Sequence, residues 1–284
     1  MTTTKKRPEV LVPAGTLEKL KVAVNYGADA VFVGGQAYGL RSRAGNFTMD
    51  ELREGIEYAH ARGVDVHVAS NMVTHEGNEQ GAGEWFRELR DMGLDAVIVS
   101  DPALIEICAT YAPGLNIHLS TQASATNVET FHFWKEYGLT RVVLAREVSM
   151  EELAEIRKRT DLEIEAFVHG AMCISYSGRC LLSNYMTGNR DANRGQCSQS
   201  CRWKYSLVES NRPGEYYPIE EDEHGTYIFN SKDLCLIHRI PDLYEAGIDS
   251  LKIEGRMKSI HYVSTVTNCY KAAVDAYLES PEKF

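Results

Sequence analysis

The residues of this sequence best suited to chemistry are cysteines. The chain has seven, and five of them fall in one stretch rich in Gly, Ser, Asn and Arg rather than in core residues: Cys173, Cys180, Cys197, Cys201 and Cys235. Thiolates are soft ligands that select zinc, copper(I) or iron–sulfur clusters. Structural zinc sites favour pairs with two to four intervening residues, whereas six separate the first pair here. This spacing favours a larger iron–sulfur cluster on four thiolates, with zinc and no metal as alternatives.

Positive charge overlaps the cysteine stretch. The whole chain carries a net charge of −10 at pH 7, which disfavours polyanionic partners overall but leaves local patches open. Residues 170–205 nevertheless contain only one acid, Asp191, and five cations: Arg179, Arg190, Arg194, Arg202 and Lys204. A solvated loop is the ordinary interpretation of such a charge cluster. Next to a cysteine site, it is also a candidate contact surface for phosphates.

Targeting signals are not evident. No apolar stretch reaches the ~20 residues needed to cross a bilayer. The polar N-terminus, Met1 to Glu9, lacks the apolar region of a signal peptide. We therefore expect a cytoplasmic protein without a membrane partner, in which the thiols stay reduced.

Short apolar runs alternate with amphipathic helical patterns along the chain. The predicted strands are Glu9–Pro13, Ala30–Gly34, Asp65–Ser70, Ala96–Ser100, Asn116–Ser120, Arg141–Ala145, Glu163–Val168 and Ser250–Glu254. Nearly continuous apolar strands that are separated by helices predict a parallel sheet covered on both faces. Eight strands in 284 residues favour a TIM-like (β/α)8 barrel, with an open doubly wound sheet as the alternative. Cys108 and Cys269 lie in apolar helical patterns and are predicted core residues.

The alternation breaks between the seventh and eighth predicted strands. We interpret residues 170–249 as a long cysteine-rich, cluster-binding insertion and return within a single barrel domain, residues 1–284. So long a connection in a compact domain is usually functional. It follows the carboxyl end of a strand, the face that carries the site in (β/α) barrels. Within it, Tyr205–Val208 and Tyr227–Phe229 either pair as a hairpin, or the second is itself a barrel strand.

The segment from Glu165 to Ser183 resembles the signature of peptidase family U32. That signature reads Glu-x-Phe-x-x-Gly-[Ser/Ala]-aliphatic-Cys-x4-Gly-x-Cys-x-aliphatic-Ser, and every fixed position matches. Val10–Gly15, Arg41–Phe47, the Asn-Arg-Gly-x-Cys run, Ser231–Cys235 and Ile253–Lys258 are also similar to this family. The resemblance extends over essentially the whole chain.

The resemblance is closest to the tRNA uridine hydroxylase branch of this family. It implies 5-hydroxylation of wobble uridine with prephenate as hydroxyl donor, and a 4Fe–4S cluster. The implied ligands are Cys173, Cys180, Cys197 and Cys235, with Cys201 as an alternative fourth ligand. Members of this branch commonly carry a C-terminal β-rich domain, which we expect to be absent from this chain.

Further site residues follow from the implied substrates. Prephenate is a small dicarboxylate and needs paired cations, for which Arg offers bidentate geometry. Candidates at the carboxyl ends of predicted strands are Arg41, Arg43, Arg146, Lys252 and Arg256. Candidate phosphate contacts for tRNA are Arg190, Arg194, Arg202 and Lys204. Aromatic residues that could stack on an unpaired base are Tyr176, Tyr185, Trp203 and Tyr205.

Two other functions stay open: a collagenase-like peptidase and a non-catalytic iron–sulfur accessory protein. The sequence has neither a His-Glu-x-x-His metal motif nor a Gly-x-Ser-x-Gly elbow. His169 and Glu254 are candidate catalytic residues, and His169 could serve Ser175 as a nucleophile. Bound prephenate or tRNA would separate the hydroxylase from the accessory protein. The oligomeric state is not predicted.

Overall fold

Eight parallel strands form a closed barrel. The computed structural model describes residues 6–39, 46–188, 190–194, 196–202, 206–208, 210–218 and 233–284. The barrel strands are β1 (Glu9–Pro13), β2 (Ala30–Val33), β3 (Asp65–Ala69), β4 (Ala96–Val99), β5 (Asn116–Leu119), β6 (Arg141–Val143), β7 (Glu163–Gly170) and β11 (Ser250–Ile253). Each pairs in parallel with the next, and β11 pairs with both β7 and β1, which closes the ring. The predicted (β/α)8 barrel is confirmed and the open sheet is excluded.

Helices surround the barrel. They are α1 (Leu17–Asn25), α2 (Met49–His60), α3 (Ala82–Asp91), α4 (Pro102–Tyr111), α5 (Val128–Glu136), α6 (Met150–Arg159), α7 (Leu182–Thr187), α8 (Ile240–Ala246) and α9 (Ile260–Glu279). Local sequence sets several helix starts: Thr48 with Glu51, and Ser149 with Glu152, form capping boxes at α2 and α6. In the described part of the chain, no helix is both long and apolar enough to span a membrane.

The main apolar core lies between the strands and the helices. Cys108 on α4 is fully buried there, and burial raises the pKa of its thiol to about 12, as expected of an inert core cysteine. The prediction for Cys269 is wrong, because this residue is exposed. The buried face of α9 consists of residues three or four positions apart: Val263, Thr267, Tyr270, Val274 and Tyr277. Cys269 does not belong to this face.

In its described residues, the connection from β7 to β11 contains three two-residue strands. Ser206–Leu207 (β8) pairs antiparallel with Tyr217–Pro218 (β9), and Leu234–Cys235 (β10) pairs antiparallel with the end of β7. The first segment of the predicted hairpin therefore pairs with Tyr217–Pro218. Tyr227–Phe229 lies outside the described residues, and the barrel closes through β11 without it. That residues 170–249 act as one cluster-binding insertion stays a prediction, since residues 219–232 are not described.

Candidate active site at the carboxyl end of the barrel

A cavity of about 500 Å³ opens at the carboxyl ends of the strands. Inward-facing apolar side chains from the upper part of the barrel form its floor: Phe32, Ala69, Ile98, Val143 and Phe167. Polar residues that follow strands β3 and β5, among them Asn71, Thr121 and Gln122, form part of its wall. This is the face at which (β/α) barrels place their sites, and the volume suits a small molecule.

Several fixed positions of the Glu165–Ser183 segment have an identifiable structural role. Glu165 is fully buried and ion-paired, and Phe167 lies in the cavity floor. Gly170 and Gly178 adopt φ values of 98° and 76°, the left-handed region that favours glycine, and they shape the turns on either side of Cys173. Buried Ser183 accepts a hydrogen bond from the Ser198 amide at 2.9 Å, which joins this segment to that of Cys197.

Three of the candidate ligands, Cys173, Cys180 and Cys197, line the cavity. Burial raises the pKa of the Cys201 thiol, and the nearby thiols of these three cysteines act in the same direction, which places Cys201 beside them. Cys235 is exposed and follows the antiparallel pairing with His169, where its thiol raises the pKa of Tyr270 together with burial. By position, Cys201 therefore lies nearer the first three thiols, whereas the family resemblance implies Cys235.

The arrangement of thiols fits a large cluster better than a zinc ion. Zn–S bonds of ~2.3 Å in a tetrahedron bring sulfur atoms within ~4 Å of one another. Among the described residues, no three of these cysteines have sulfur atoms within 4.8 Å of one another. Soft donors spread around a cavity wall suit an iron–sulfur cluster, which is wider than a single ion and uses four thiolates.

Two arginines of the basic stretch hold the cysteine segments in place. Arg190 donates from Nε to the carbonyl of Gln196 at 3.0 Å and from Nη2 to the carbonyl of Cys197 at 3.3 Å. Arg202 donates from Nη2 to the carbonyl of Met172 at 2.8 Å. Both side chains also line the cavity. This role could not be predicted from the sequence, because it depends on contacts with backbone carbonyls rather than on side-chain types.

The remaining RNA-contact candidates are only partly described. Arg194 is half-buried, while Lys204, Trp203 and Tyr205 lie outside the described residues. Tyr176 and Tyr185 are exposed, at 46% and 84%, and Tyr176 lines the cavity. The predicted contacts of these residues with RNA stay predictions.

The structure gathers three of the five candidate substrate cations, Arg146, Lys252 and Arg256, around the cavity. Arg146 donates from Nη1 to the Cys173 sulfur at 3.2 Å and to Ser177 Oγ at 3.0 Å, and its guanidinium lies 4.1 Å from the Phe167 ring centre. Its buried Nε has no hydrogen-bond partner among the described residues. Arg41 and Arg43 lie outside the described residues.

Arg256 packs closely against the residues that follow the carboxyl ends of β1 and β2. It donates from Nη2 to Asn46 Oδ1 at 3.0 Å. A Cβ at Gly34 would come within 2.3 Å of its guanidinium, and a Cβ at Gly15 within 2.2 Å of its carbonyl oxygen. Two glycines after β1 and β2 therefore make room for this cation at the cavity.

A row of alternating charges runs inside the barrel below the cavity. Glu165 Oε1 lies 2.5 Å from Lys252 Nζ, and its Oε2 lies 3.1 Å from Arg141 Nη1. Arg141 continues the row to Glu9 at 2.8 Å and to Glu163 at 2.7 Å, at the amino ends of their strands. Burial would raise the pKa of Glu165, but the charges of Lys252 and Arg141 lower it below its ordinary value.

His67 and His118 are buried beside this row. Their rings meet edge to face with centres 4.8 Å apart, and burial lowers the pKa of both, so that they are neutral at pH 7. Together with Glu165 they bring potential ligand atoms within 4.8 Å of one another. However, both oxygens of Glu165 are occupied by Lys252 and Arg141, whose positive charges oppose a cation. We interpret the pair as a polar part of the barrel core.

The two candidate catalytic residues occupy different surroundings. Glu254 lines the cavity. His169 does not line it; its Nδ1 lies 3.4 Å from Tyr270 Oη, its ring faces Tyr262, and burial lowers its pKa. Ser175 instead contacts the carbonyl of Tyr176, so the described contacts do not assemble a nucleophile with His169. The catalytic roles of His169 and Glu254 stay predictions.

Sequence analysis did not predict the buried ion pairs of Glu165 or the two phenyl rings, Phe32 and Phe167, in the floor of the cavity. Glu165 was visible only as a fixed position of the signature. The available signal was an acid at an inward position of an otherwise apolar strand, which requires a buried cation nearby. Its partner Lys252 is far away in sequence, and only closure of the barrel brings β7 and β11 together.

Fold and site together define a (β/α)8-barrel protein with a thiol- and arginine-lined cavity at its carboxyl face. The sequence pattern of Peptidase family U32 matches residues 15–284. The chain belongs to this family.

Named relatives agree with this membership. The tRNA hydroxylation protein P1 of Bacillus subtilis (strain 168) is 53% identical over 98% of this chain and 66% of its own length. The tRNA hydroxylation protein P of Escherichia coli (strain K12) is 42% identical over 95% of this chain and 68% of its own length. The chain thus spans about two thirds of these relatives. A solved structure of a U32 peptidase, at 17% identity, aligns with a TM-score of 0.55 over 90% of this chain and 96% of its own, and shows the shared fold.

Proposed function

We propose that this chain is the barrel part of a tRNA-modifying enzyme that hydroxylates wobble uridine at C5 with prephenate as the hydroxyl donor. The observation that carries the proposal is one cavity that combines cluster-type thiols with cations: Cys173, Cys180 and Cys197 with Arg146, Lys252 and Arg256. Two relatives that are at least 42% identical are named tRNA hydroxylation proteins, which supports RNA as the substrate.

The cations support a dicarboxylate as the ligand of the cavity. The buried Nε of Arg146 has no partner within the described ranges of the chain, and a buried donor without a partner is costly unless a ligand accepts from it. Arg256 lines the same cavity. A guanidinium binds a carboxylate through two parallel hydrogen bonds, which orients as well as holds the ligand. In this proposal the two arginines bind the carboxylates of prephenate, and the phenyl rings of the floor exclude water from its ring.

The thiols account for an iron–sulfur cluster. Cys173, Cys180 and Cys197, together with Cys235 or Cys201, would hold a 4Fe–4S cluster, which supplies one-electron chemistry when bound. Arg146 would orient Cys173 and donate a hydrogen bond to its thiolate, because it already contacts that sulfur at 3.2 Å. Arg190 and Arg202 would keep the cysteine segments at the cavity through their hydrogen bonds to backbone carbonyls.

The test is complementation by the full-length gene product in bacteria that lack their own tRNA hydroxylation proteins. We expect 5-hydroxyuridine derivatives to reappear in digested tRNA, measured by liquid chromatography and mass spectrometry. Cys173→Ser should abolish them, whereas Cys269→Ser, a matched change at an exposed cysteine on α9, should not. The same strain blocked in prephenate synthesis should show none.

Two results would contradict the proposal. Unchanged tRNA in the presence of the folded protein removes the hydroxylase function and favours the accessory protein. Equal restoration without prephenate removes prephenate as the donor and keeps RNA hydroxylation.

A further inference from the structure

Lys252 places a buried amine at the floor of the cavity. The residue is 4% exposed, and its Nζ lies 4.6 Å from the centre of the Phe32 ring and 5.5 Å from that of Phe167. Both rings line the cavity, as Lys252 itself does. Within the described residues, Lys252 forms an ion pair with Glu165, whose Oε1 lies 2.5 Å from its Nζ. A molecule that enters the cavity therefore meets this amine between two aromatic faces.

Burial makes the Lys252 ammonium easier to deprotonate and so the amine more available as a nucleophile. It lowers the pKa of the Lys252 ammonium below its ordinary value, and the charge of Glu165 offsets only part of this effect. The guanidinium of Arg141, which shares Glu165, acts in the same direction as burial. A lysine that is desolvated in an apolar pocket and near a second cation is a typical amine nucleophile toward carbonyl groups.

We propose that Lys252 binds the carbonyl carbon of a 2-oxo acid covalently, as a protonated imine. The ligand needs a carboxylate because Arg146 lines the same cavity, and its buried Nε has no hydrogen-bond partner in the part of the chain that the structure describes. Prephenate carries a 2-oxo acid group and is therefore the natural ligand that we infer. This identification of the ligand rests on the proposed function. The chemistry itself requires only the cavity, Lys252 and a 2-oxo acid.

The step balances without any further reactant. Glu165 takes one proton from the Lys252 ammonium, and the freed nitrogen lone pair forms the C–N bond while the carbonyl π bond breaks. The proton on Glu165 and a second proton from nitrogen then leave with the carbonyl oxygen as water. Nitrogen keeps its third proton, so an ammonium and a ketone give an iminium ion and one water molecule.

The buried charges stay the same through this step. The iminium carries the positive charge that the ammonium carried, and its remaining N–H can still donate to Glu165. No new charge is buried, which would otherwise be costly in this part of the barrel. The Phe32 and Phe167 rings stabilise the cation and limit the water that would hydrolyse the imine.

The experiment traps the imine by reduction. The purified protein, without tRNA, is incubated with pyruvate and sodium cyanoborohydride, digested, and mapped by mass spectrometry. We expect one carboxyethyl group on the peptide that contains Lys252, with about ten-fold or greater labelling over Lys258, a half-exposed lysine six positions later. Prephenate or phenylpyruvate present in excess should reduce the pyruvate label.

Two variants provide the matched comparison. Lys252→Arg keeps the positive charge and the ion pair but has no nucleophilic amine, so the label should be lost. Lys258→Arg changes a lysine outside the cavity and should keep the label on Lys252. Should Lys252→Arg fail to fold, the peptide map of the unchanged protein still decides which lysine reacts.

The outcomes separate this inference from the proposed function. Labelling of Lys252 no greater than that of Lys258 overturns the imine, even if the protein hydroxylates tRNA. Selective labelling of Lys252 in a protein that fails the tRNA complementation keeps the imine and removes the hydroxylase.

Discussion

Replacement of Glu165 by Gln tests the charge row inside the barrel. Glu165 is 0% exposed and neutralises two cations whose side chains are 5% and 8% exposed, Lys252 and Arg141. Gln has nearly the same shape, so the substitution leaves no cavity and changes mainly the charge. Removal of one partner from a buried ion pair costs about 3–5 kcal/mol, because the other charge stays buried without compensation. We expect a loss of that size in the free energy of unfolding.

Urea denaturation at pH 7, followed by circular dichroism, measures this loss. Glu163→Gln is the matched control, because Glu163 also contacts Arg141 but is 38% exposed; it should cost no more than about 1 kcal/mol. The folded-state pKa of Glu165 lies below its ordinary value. Its contribution is therefore complete at pH 7 and is lost as the pH falls through that folded-state pKa. A Glu165→Gln loss no larger than that of Glu163→Gln would refute the buried-charge argument.

Three further predictions address the cluster, the pH dependence and the RNA surface. If the resemblance identifies the fourth ligand, Cys235→Ser abolishes iron and sulfide retention after anaerobic purification and Cys201→Ser does not; the reverse result would assign Cys201. Because burial depresses the folded-state pKa of His118, stability should fall as the pH drops below ~6.5, by up to ~1.4 kcal/mol per pH unit. His118→Gln should flatten that dependence in urea titrations at several pH values, and an unchanged slope would contradict it. Joint neutralisation of Arg179 and Arg194 should lower the slope of log tRNA affinity against log salt by about 1–2 units in filter binding, and an unaltered slope would remove them from the phosphate contacts.

The barrel was predictable because its strands are short, nearly continuous apolar runs that alternate with amphipathic helices, a pattern typical of a parallel sheet covered on both faces. Predicted strands such as Arg141–Ala145 extend beyond the observed Arg141–Val143, since the residues after a barrel strand stay buried without remaining in the ladder. The position of Cys269 was not predictable from hydropathy, because α9 is apolar on more than the face it buries. The family signature identified Cys173 and Cys180, and the Asn-Arg-Gly-x-Cys run identified Cys197; all three line the cavity.

Other features of the site depend on contacts that residue types do not encode. The ion pair of Lys252 with Glu165 requires the register between β7 and β11, and a sequence gives neighbouring strands without their register. Arg190 was interpreted as a phosphate contact from its charge, yet its described hydrogen bonds go to the backbone around Cys197. Neutralisation of Arg190 would therefore disturb the Cys197 segment as well as any phosphate contact, whereas Arg179 and Arg194 make no such described side-chain hydrogen bonds.

The ion pairs inside the barrel form a continuous series of alternating charges between its two ends. Lys252 lies at the cavity floor, and Glu163, at the other end of the row, is 38% exposed at the amino-terminal face. Each charge in between is held by its neighbours in a poorly screened interior. A ligand whose carboxylate adds negative charge close to Lys252 therefore raises the proton affinity of Glu165, the buried acid with which Lys252 is paired. Occupancy of the cavity by an anionic ligand is therefore expected to be measurable as proton uptake by the barrel interior, in a pH titration of the protein with and without the ligand.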